Sequence, residues 1–120
     1  MVQGMHLTPL GDGSVLLEPG EGLDPGDPDA YLEPLVGFLQ GQAANRLIYD
    51  LGEVGVIDEL YYDWLVRLSR ACRVTGVQVV AANIHPPAAF ALAQRLTADP
   101  PFDCALDVDR ARGLTPRSGP

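Results

Sequence analysis

Two short apolar runs constrain this chain more than any other feature. Arg46-Leu-Ile-Tyr-Asp-Leu51 and Val77-Gln-Val-Val-Ala-Ala82 are nearly unbroken in hydrophobicity rather than alternating. Strands of that kind are buried on both faces, which is the habit of parallel sheets covered by helices. Between them, from about Asp58 to Val74, Tyr61, Leu65, Leu68 and Cys72 fall on one helical stripe, widened by Trp64 and Ala71. Asp58 suits the N-cap, Gly76 ends the helix, and Asp63 to Arg67 forms an i,i+4 pair. The unit reads as strand, helix, strand, with a right-handed crossover.

The flanking elements extend the same pattern. Met5 to Leu10 and Ser14 to Glu18 bracket an Asp-Gly turn and predict a hairpin. Pro19 to Pro28 is a loop, since its prolines cannot donate to a ladder. Asp27 followed by Pro28 predicts an N-cap and first helical residue for a helix that carries Ala30, Leu32, Leu35, Val36 and Leu39 and stops near Gly41. A third, alanine-rich helix is expected over Ala88 to Leu96. A short strand should span Phe102 to Leu106, with a last helical turn at Asp109 to Arg112. The expectation is one α/β domain over residues 1–113, with a mixed, mostly parallel sheet of about five strands and about four helices, and a disordered tail over 114–120.

Charge and composition exclude several function classes. The 120 residues carry a net charge of −8, which disfavours a nucleic-acid backbone as partner. Every one of the eight basic residues is Arg, so a Schiff-base or P-loop lysine is excluded. Residues 1–66 hold twelve acids and one Arg; residues 67–120 hold four acids and seven Arg. No apolar run approaches the roughly 20 residues of a membrane span, and the N-terminus lacks the pattern of a signal peptide. A soluble, cytoplasmic protein is expected.

Catalytic motifs are weak. The glycine-rich stretches do not make G-x-G-x-x-G at a strand-to-helix junction, and no G-x-S-x-G elbow surrounds Ser14, Ser69 or Ser118. Cys72 and Cys104, with His6 and His85, have no metal-finger spacing. The densest acidic group is Asp50, Asp58 and Glu59, at the strand edge where open α/β sheets bind ligands. A Mg²⁺-assisted site there is one reading; an N-cap at Asp58 and a dipole-matching Glu59 is the plainer one.

The same residues carry a family resemblance. Leu47-Ile-Tyr-Asp-Leu-Gly-Glu-Val-Gly-Val-Ile-Asp-Glu59 resembles the signature of STAS domains, the anti-sigma-factor antagonists. Gly76-Val-Gln-Val-Val-Ala-Ala-Asn-Ile-His-Pro86 resembles that family's next strand, and Cys104-Ala-Leu-Asp-Val-Asp109 its last strand and final helix. The likeness covers roughly residues 5–113 and is nearest to the single-domain, RsbS-like subgroup associated with stressosomes. It implies a STAS-like fold and a non-enzymatic docking module without cofactor or metal. The implied partners are a GHKL-type anti-sigma or switch kinase, or other STAS proteins, with a homo-oligomer compatible. The family's phospho-acceptor follows the junction aspartate, and here that position is Glu59; a second acceptor position corresponds to Ala82. Glu59 then either mimics a phosphorylated state or simply opens the helix. Asp58, Glu59, Tyr62, Asp63 and Arg67 are the implied partner-binding residues. The rival reading keeps the fold and assigns a small-ligand (nucleotide or lipid) site or a scaffold role near Asp50 and Asp58.

Overall fold

The computed structural model describes residues 2–85 and 101–114. β1 (Met5–Pro9) and β2 (Ser14–Pro19) form the expected hairpin, antiparallel with Leu7 opposite Leu17. Its turn is fixed by the Asp12 carboxylate, which accepts the Ser14 N–H at 3.0 Å. The remaining elements are α1 (Asp29–Gly41), β3 (Arg46–Asp50), α2 (Glu59–Val74), β4 (Gln78–Ala82), β5 (Asp103–Ala105) and α3 (Val108–Arg112).

The five strands lie in the order β1-β2-β3-β4-β5. From β2 onward every pairing is parallel, with Leu47 beside Val79 and Ala82 beside Ala105. The mixed, mostly parallel sheet expected from the two apolar runs is therefore present. Three helices occur among the described residues rather than the four expected. The helix expected at Ala88 to Leu96 and the tail from residue 115 lie outside those residues.

Helices on both faces explain why β3 and β4 are apolar throughout. On one face Leu35 and Leu39 of α1 and Trp64, Leu65 and Leu68 of α2 pack against Leu17, Leu47, Tyr49 and Val79. On the other, Ile48, Val80 and Ala82 pack beneath Ala111 of α3. Each fully buried large aliphatic side chain contributes about 1.5–3 kcal/mol by leaving water. Cys72 belongs to the first core, and burial pushes its thiol up to about 12, so it is no nucleophile at neutral pH. Ser69 is likewise buried, its hydroxyl donating to the Leu65 carbonyl at 2.7 Å.

The helix ends show where local signals were misread. Pro28 does adopt helical angles (φ −61, ψ −31), but no side chain caps α1. Asp27 supplies only its main-chain carbonyl, to the Ala30 N–H at 3.2 Å. α1 does stop at Gly41 as expected, although Gly41 itself is not left-handed. The reversal falls on Ala43, at φ +52, with Ala43 N–H donating to Gln40 and Ala44 N–H to Leu39. α2 ends in the same two-bond motif: Gly76, at φ +80, donates to Arg73, and Val77 donates to Cys72. In this motif glycine is the favoured residue because it has no Cβ to clash. α2 follows the rule and α1 does not.

Candidate functional site

The parallel strands bring their carboxyl ends to one edge, and the acidic residues singled out above gather along it. Asp50, the last residue of β3, is a latch. Its Oδ1 accepts the Gly52 N–H at 2.8 Å and the Asn83 side-chain amide at 3.1 Å, tying the ends of β3 and β4 together. A Cβ on Gly52 would lie 2.9 Å from that same oxygen, so glycine is required for the loop to fold back on the carboxylate. Asn83 turns left-handed, at φ +61, and its N–H donates to the Leu106 carbonyl at 3.3 Å. The exposed His85 ring pairs with the Gly52 carbonyl.

Asp58 caps α2 as expected: its Oδ1 accepts the Tyr61 N–H at 2.8 Å. With Asp50 committed to its latch and Asp58 to its cap, these groups do not converge with Glu59 on a cation. Among the described residues no three His, Cys, Asp or Glu side chains form a metal-sized group.

Beneath the helix start lies a polar chain inside the core. Trp64 Nε1–H donates to the Tyr49 hydroxyl at 2.9 Å, and that hydroxyl pairs with Tyr61 Oη at 2.7 Å. Burial pushes both phenols above their ordinary range, so they stay neutral and act as structural donors and acceptors.

Outside that floor, Asp58, Glu59, Asp63 and Arg67 are exposed. Tyr62 is half-buried, its ring edge-on to Phe102 with centroids 6.3 Å apart, so part of it closes the core. The i,i+4 ion pair expected between Asp63 and Arg67 is not formed; among the described residues the ion pairs are Arg112–Asp12 and Arg110–Asp107. Instead Asp63 and Arg67 both line a cleft of about 300 Å³. Its far wall is Pro25 to Pro28 of the loop after β2, with Asp29, the first residue of α1. A Cβ on Gly26 would sit 3.6 Å from Leu60 Cδ2.

Sequence reasoning missed that wall. The signal was available: β2 pairs parallel with β3, so the loop leaving β2 must emerge at the same edge as the loop leaving β3. It also missed three exposed apolar side chains in the edge loops and first turn of α2: Val56 at 72%, Leu60 at 51% and Leu106 at 74% exposure. A larger cleft, about 490 Å³, lies at the opposite, amino edge around Gln78, Asp103, Ser69 and Arg73. There Arg46 bonds Gln78 Oε1 at 3.1 Å, Ser14 Oγ at 3.2 Å and the Leu114 carbonyl at 2.9 Å.

No protein-family model matches the sequence, and no curated protein matches it. Solved structures do match. A serine-to-glutamate variant of RsbS from Moorella thermoacetica superposes with a TM-score of 0.73 at 22% identity, covering 87% of this chain and 90% of that one. A chain from the molecular architecture of the stressosome, described as a signal integration and transduction hub, gives 0.74 at 21% identity over 88% and 91%. The solution structure of the protein TM1081 gives 0.74 at 14% identity over 94% and 86%.

The chain has the STAS fold. Within that fold α2 starts at the carboxyl edge, and Asp58, Glu59, Leu60 and Asp63 form the exposed rim of its first turns. No helix among the described residues is long and apolar enough to cross a membrane.

Proposed function

We propose that this chain is a non-enzymatic STAS-domain signalling protein that docks a protein partner at the start of α2, in partner-switch or stressosome-type signalling. The single observation that carries the reading is the composition of the carboxyl edge. Exposed acids (Asp58, Glu59 and Asp63) stand among exposed Val56 and Leu60 over a rigid, hydrogen-bonded floor. Apolar side chains left exposed on a preorganised base are what a protein interface uses, with the charges fixing orientation.

Asp58, Glu59, Tyr62, Asp63 and Arg67 are the contact residues in this reading. The partner is a GHKL-type anti-sigma or switch kinase, or another STAS protein, met in the cytoplasm. Glu59 occupies the position at which STAS-domain switches are phosphorylated. It holds a permanent charge of about −1, where phosphoserine would carry about −1.5 to −2. One of the structural matches carries glutamate engineered in place of serine. Against an enzyme, both candidate acids with geometry, Asp50 and Asp58, are already engaged in bonds that hold the fold.

The test is affinity capture from a lysate of the encoding organism, comparing the natural chain with Glu59→Ser and with Leu60→Asp, and identifying what is retained. Retention of a GHKL-type kinase or a STAS protein by the natural chain, lost in Leu60→Asp, supports docking with Glu59 in place. Retention only by Glu59→Ser means that the natural chain is held in the released, phospho-like state. Neither chain retaining such a partner would end the partner-switch reading.

A further inference from the structure

We propose that the cleft at the amino edge of the sheet is a binding site for a small organic acid, one carboxylate carried on a compact apolar body. The cleft is remote from the docking surface proposed above. Glu59 and Arg73 stand about 21 Å apart along the axis of α2, and it is Arg73 that lines this cleft. The inference therefore stands whether or not the other surface takes a partner.

The cleft measures about 490 Å³, within the roughly 300–1,000 Å³ usual for small-molecule sites. Val77, Val79 and Phe102, all buried, give it an apolar floor. Its cations are Arg46, the first residue of β3, and Arg73, in the last turn of α2. Arg46 is half-buried and carries the argument. Its guanidinium is held by Gln78 Oε1, Ser14 Oγ and the Leu114 carbonyl, all of them neutral acceptors. These take three of its five N–H groups and leave its charge without a carboxylate in contact. Among the described residues neither Arg46 nor Arg73 forms an ion pair.

The carboxylates that border the cleft are engaged elsewhere. Asp12 pairs with Arg112 at 2.8 Å, and Asp103 accepts from the Gln78 amide at 3.0 Å. Gln78 thus stands between Arg46 and Asp103, fixing the guanidinium with its oxygen and the acid with its nitrogen. Tying β2, β4 and the chain after α3 together accounts for three donors of Arg46. It does not account for a second arginine over an apolar hollow. A planar, immobilised guanidinium short of a counter-charge matches a carboxylate. Two N–H groups remain on Arg46, as many as one carboxylate has oxygens. A phosphate dianion would need more donors and would meet Asp12 and Asp103 at the rim. Val77, Val79 and Phe102 then select for an apolar body behind the acid, as the few polar groups of a ligand site fix its orientation.

The test is an NMR titration of the isotope-labelled whole chain with phenylacetate, up to about 20 mM at neutral pH. Saturable amide shifts are expected at Arg46, Gly76, Val77, Val79 and Phe102. The expected Kd is about 1 mM, the reach of a probe of about ten non-hydrogen atoms. Phenylacetamide has the same shape without the charge, and acetate has the charge without the body. Each should bind at least about tenfold more weakly. Arg73→Glu changes an exposed residue, should keep the fold, and should weaken phenylacetate about fivefold or more. Arg46→Lys keeps the charge and loses the planar fork, and should weaken it about tenfold. If the spectrum of Arg46→Lys shows a disturbed sheet, Arg73→Glu decides alone. The absence of saturable shifts in the natural chain overturns the proposal. So does equal binding of phenylacetamide or of acetate, which would make the cleft merely apolar or merely cationic. Shifts gathered at Asp50, Asp58 and Glu59 instead, or an affinity that Arg73→Glu leaves unchanged, overturn it too.

Discussion

The Trp64 indole N–H donates to the Tyr49 hydroxyl at 2.9 Å, with both side chains fully buried. The bond crosses from α2 to β3, and Tyr61 continues it to the helix start. It anchors the proposed docking surface to the sheet. Tyr49→Phe keeps the ring and removes the acceptor, leaving a buried donor unpaired at a cost of about 1–3 kcal/mol. Trp64 is the single tryptophan of the chain, so its fluorescence follows urea unfolding directly. A variant as stable as the natural protein would mean that this network holds nothing together.

The two residues that open α2 should separate in stability. Asp58→Ala removes the bond to the Tyr61 N–H and costs about 0.5–2 kcal/mol. Glu59→Ser loses only a favourable charge in an exposed first turn, about 0.3–1 kcal/mol. Thermal unfolding of the two should show the Asp58 variant as clearly the weaker. Equal losses would assign Glu59 a structural role and spoil its use as a functional probe.

The unequal helix ends give a pair of opposite effects. Ala43 holds a left-handed conformation that glycine adopts at less cost, so Ala43→Gly should raise stability by about 0.5–1 kcal/mol. Gly76→Ala should lower it by about 1 kcal/mol. Denaturation midpoints moving in the same direction for both would contradict the shared motif.

Arg112 and Asp12, 100 residues apart, close the hairpin turn onto α3 at 2.8 Å. The hydrogen bond from Arg112, with the Ser14 N–H assisting, lowers the Asp12 carboxyl from 3.8 to about 2. A depressed carboxyl stabilises the folded state above its unfolded value, and that contribution is lost as pH falls from about 3.8 through about 2. NMR titration should find the Asp12 midpoint near the lower value, and Arg112→Ala should return it upward. A midpoint indifferent to Arg112 would remove the pair from the account.

Cys72 should be silent toward thiol reagents while the protein is folded, because burial pushes its thiol up to about 12. In a Cys104→Ser background at pH 8, a thiol-reactive chromophore should label nothing until denaturant is added. Fast labelling of the native variant would reveal an opening of the α2 core.

The parallel core was legible because Leu47 to Leu51 and Val77 to Ala82 can be buried on both sides only if helices cover both faces. The cap at Asp58 was legible for a local reason: the bond it makes spans three residues. Asp27 showed the same local signal but makes no side-chain cap, because the N-cap position falls on Pro28, whose ring carries no acceptor. The ion pair expected from Asp63 and Arg67 failed because i,i+4 spacing permits a contact without enforcing it on exposed side chains.

The order of elements, the parallel sheet and the acidic start of α2 were all set by residue pattern, since hydrophobic period and capping are properties of neighbours along the chain. Folding in three dimensions was needed to make Asp50 a latch to Gly52 and Asn83, and to bring Pro25 to Asp29 up as the wall of the cleft beside α2. It also left Val56, Leu60 and Leu106 uncovered at the carboxyl edge. Those facts depend on which distant segments meet, and pairings across 30 or more residues are settled by packing the whole core, not by any local preference.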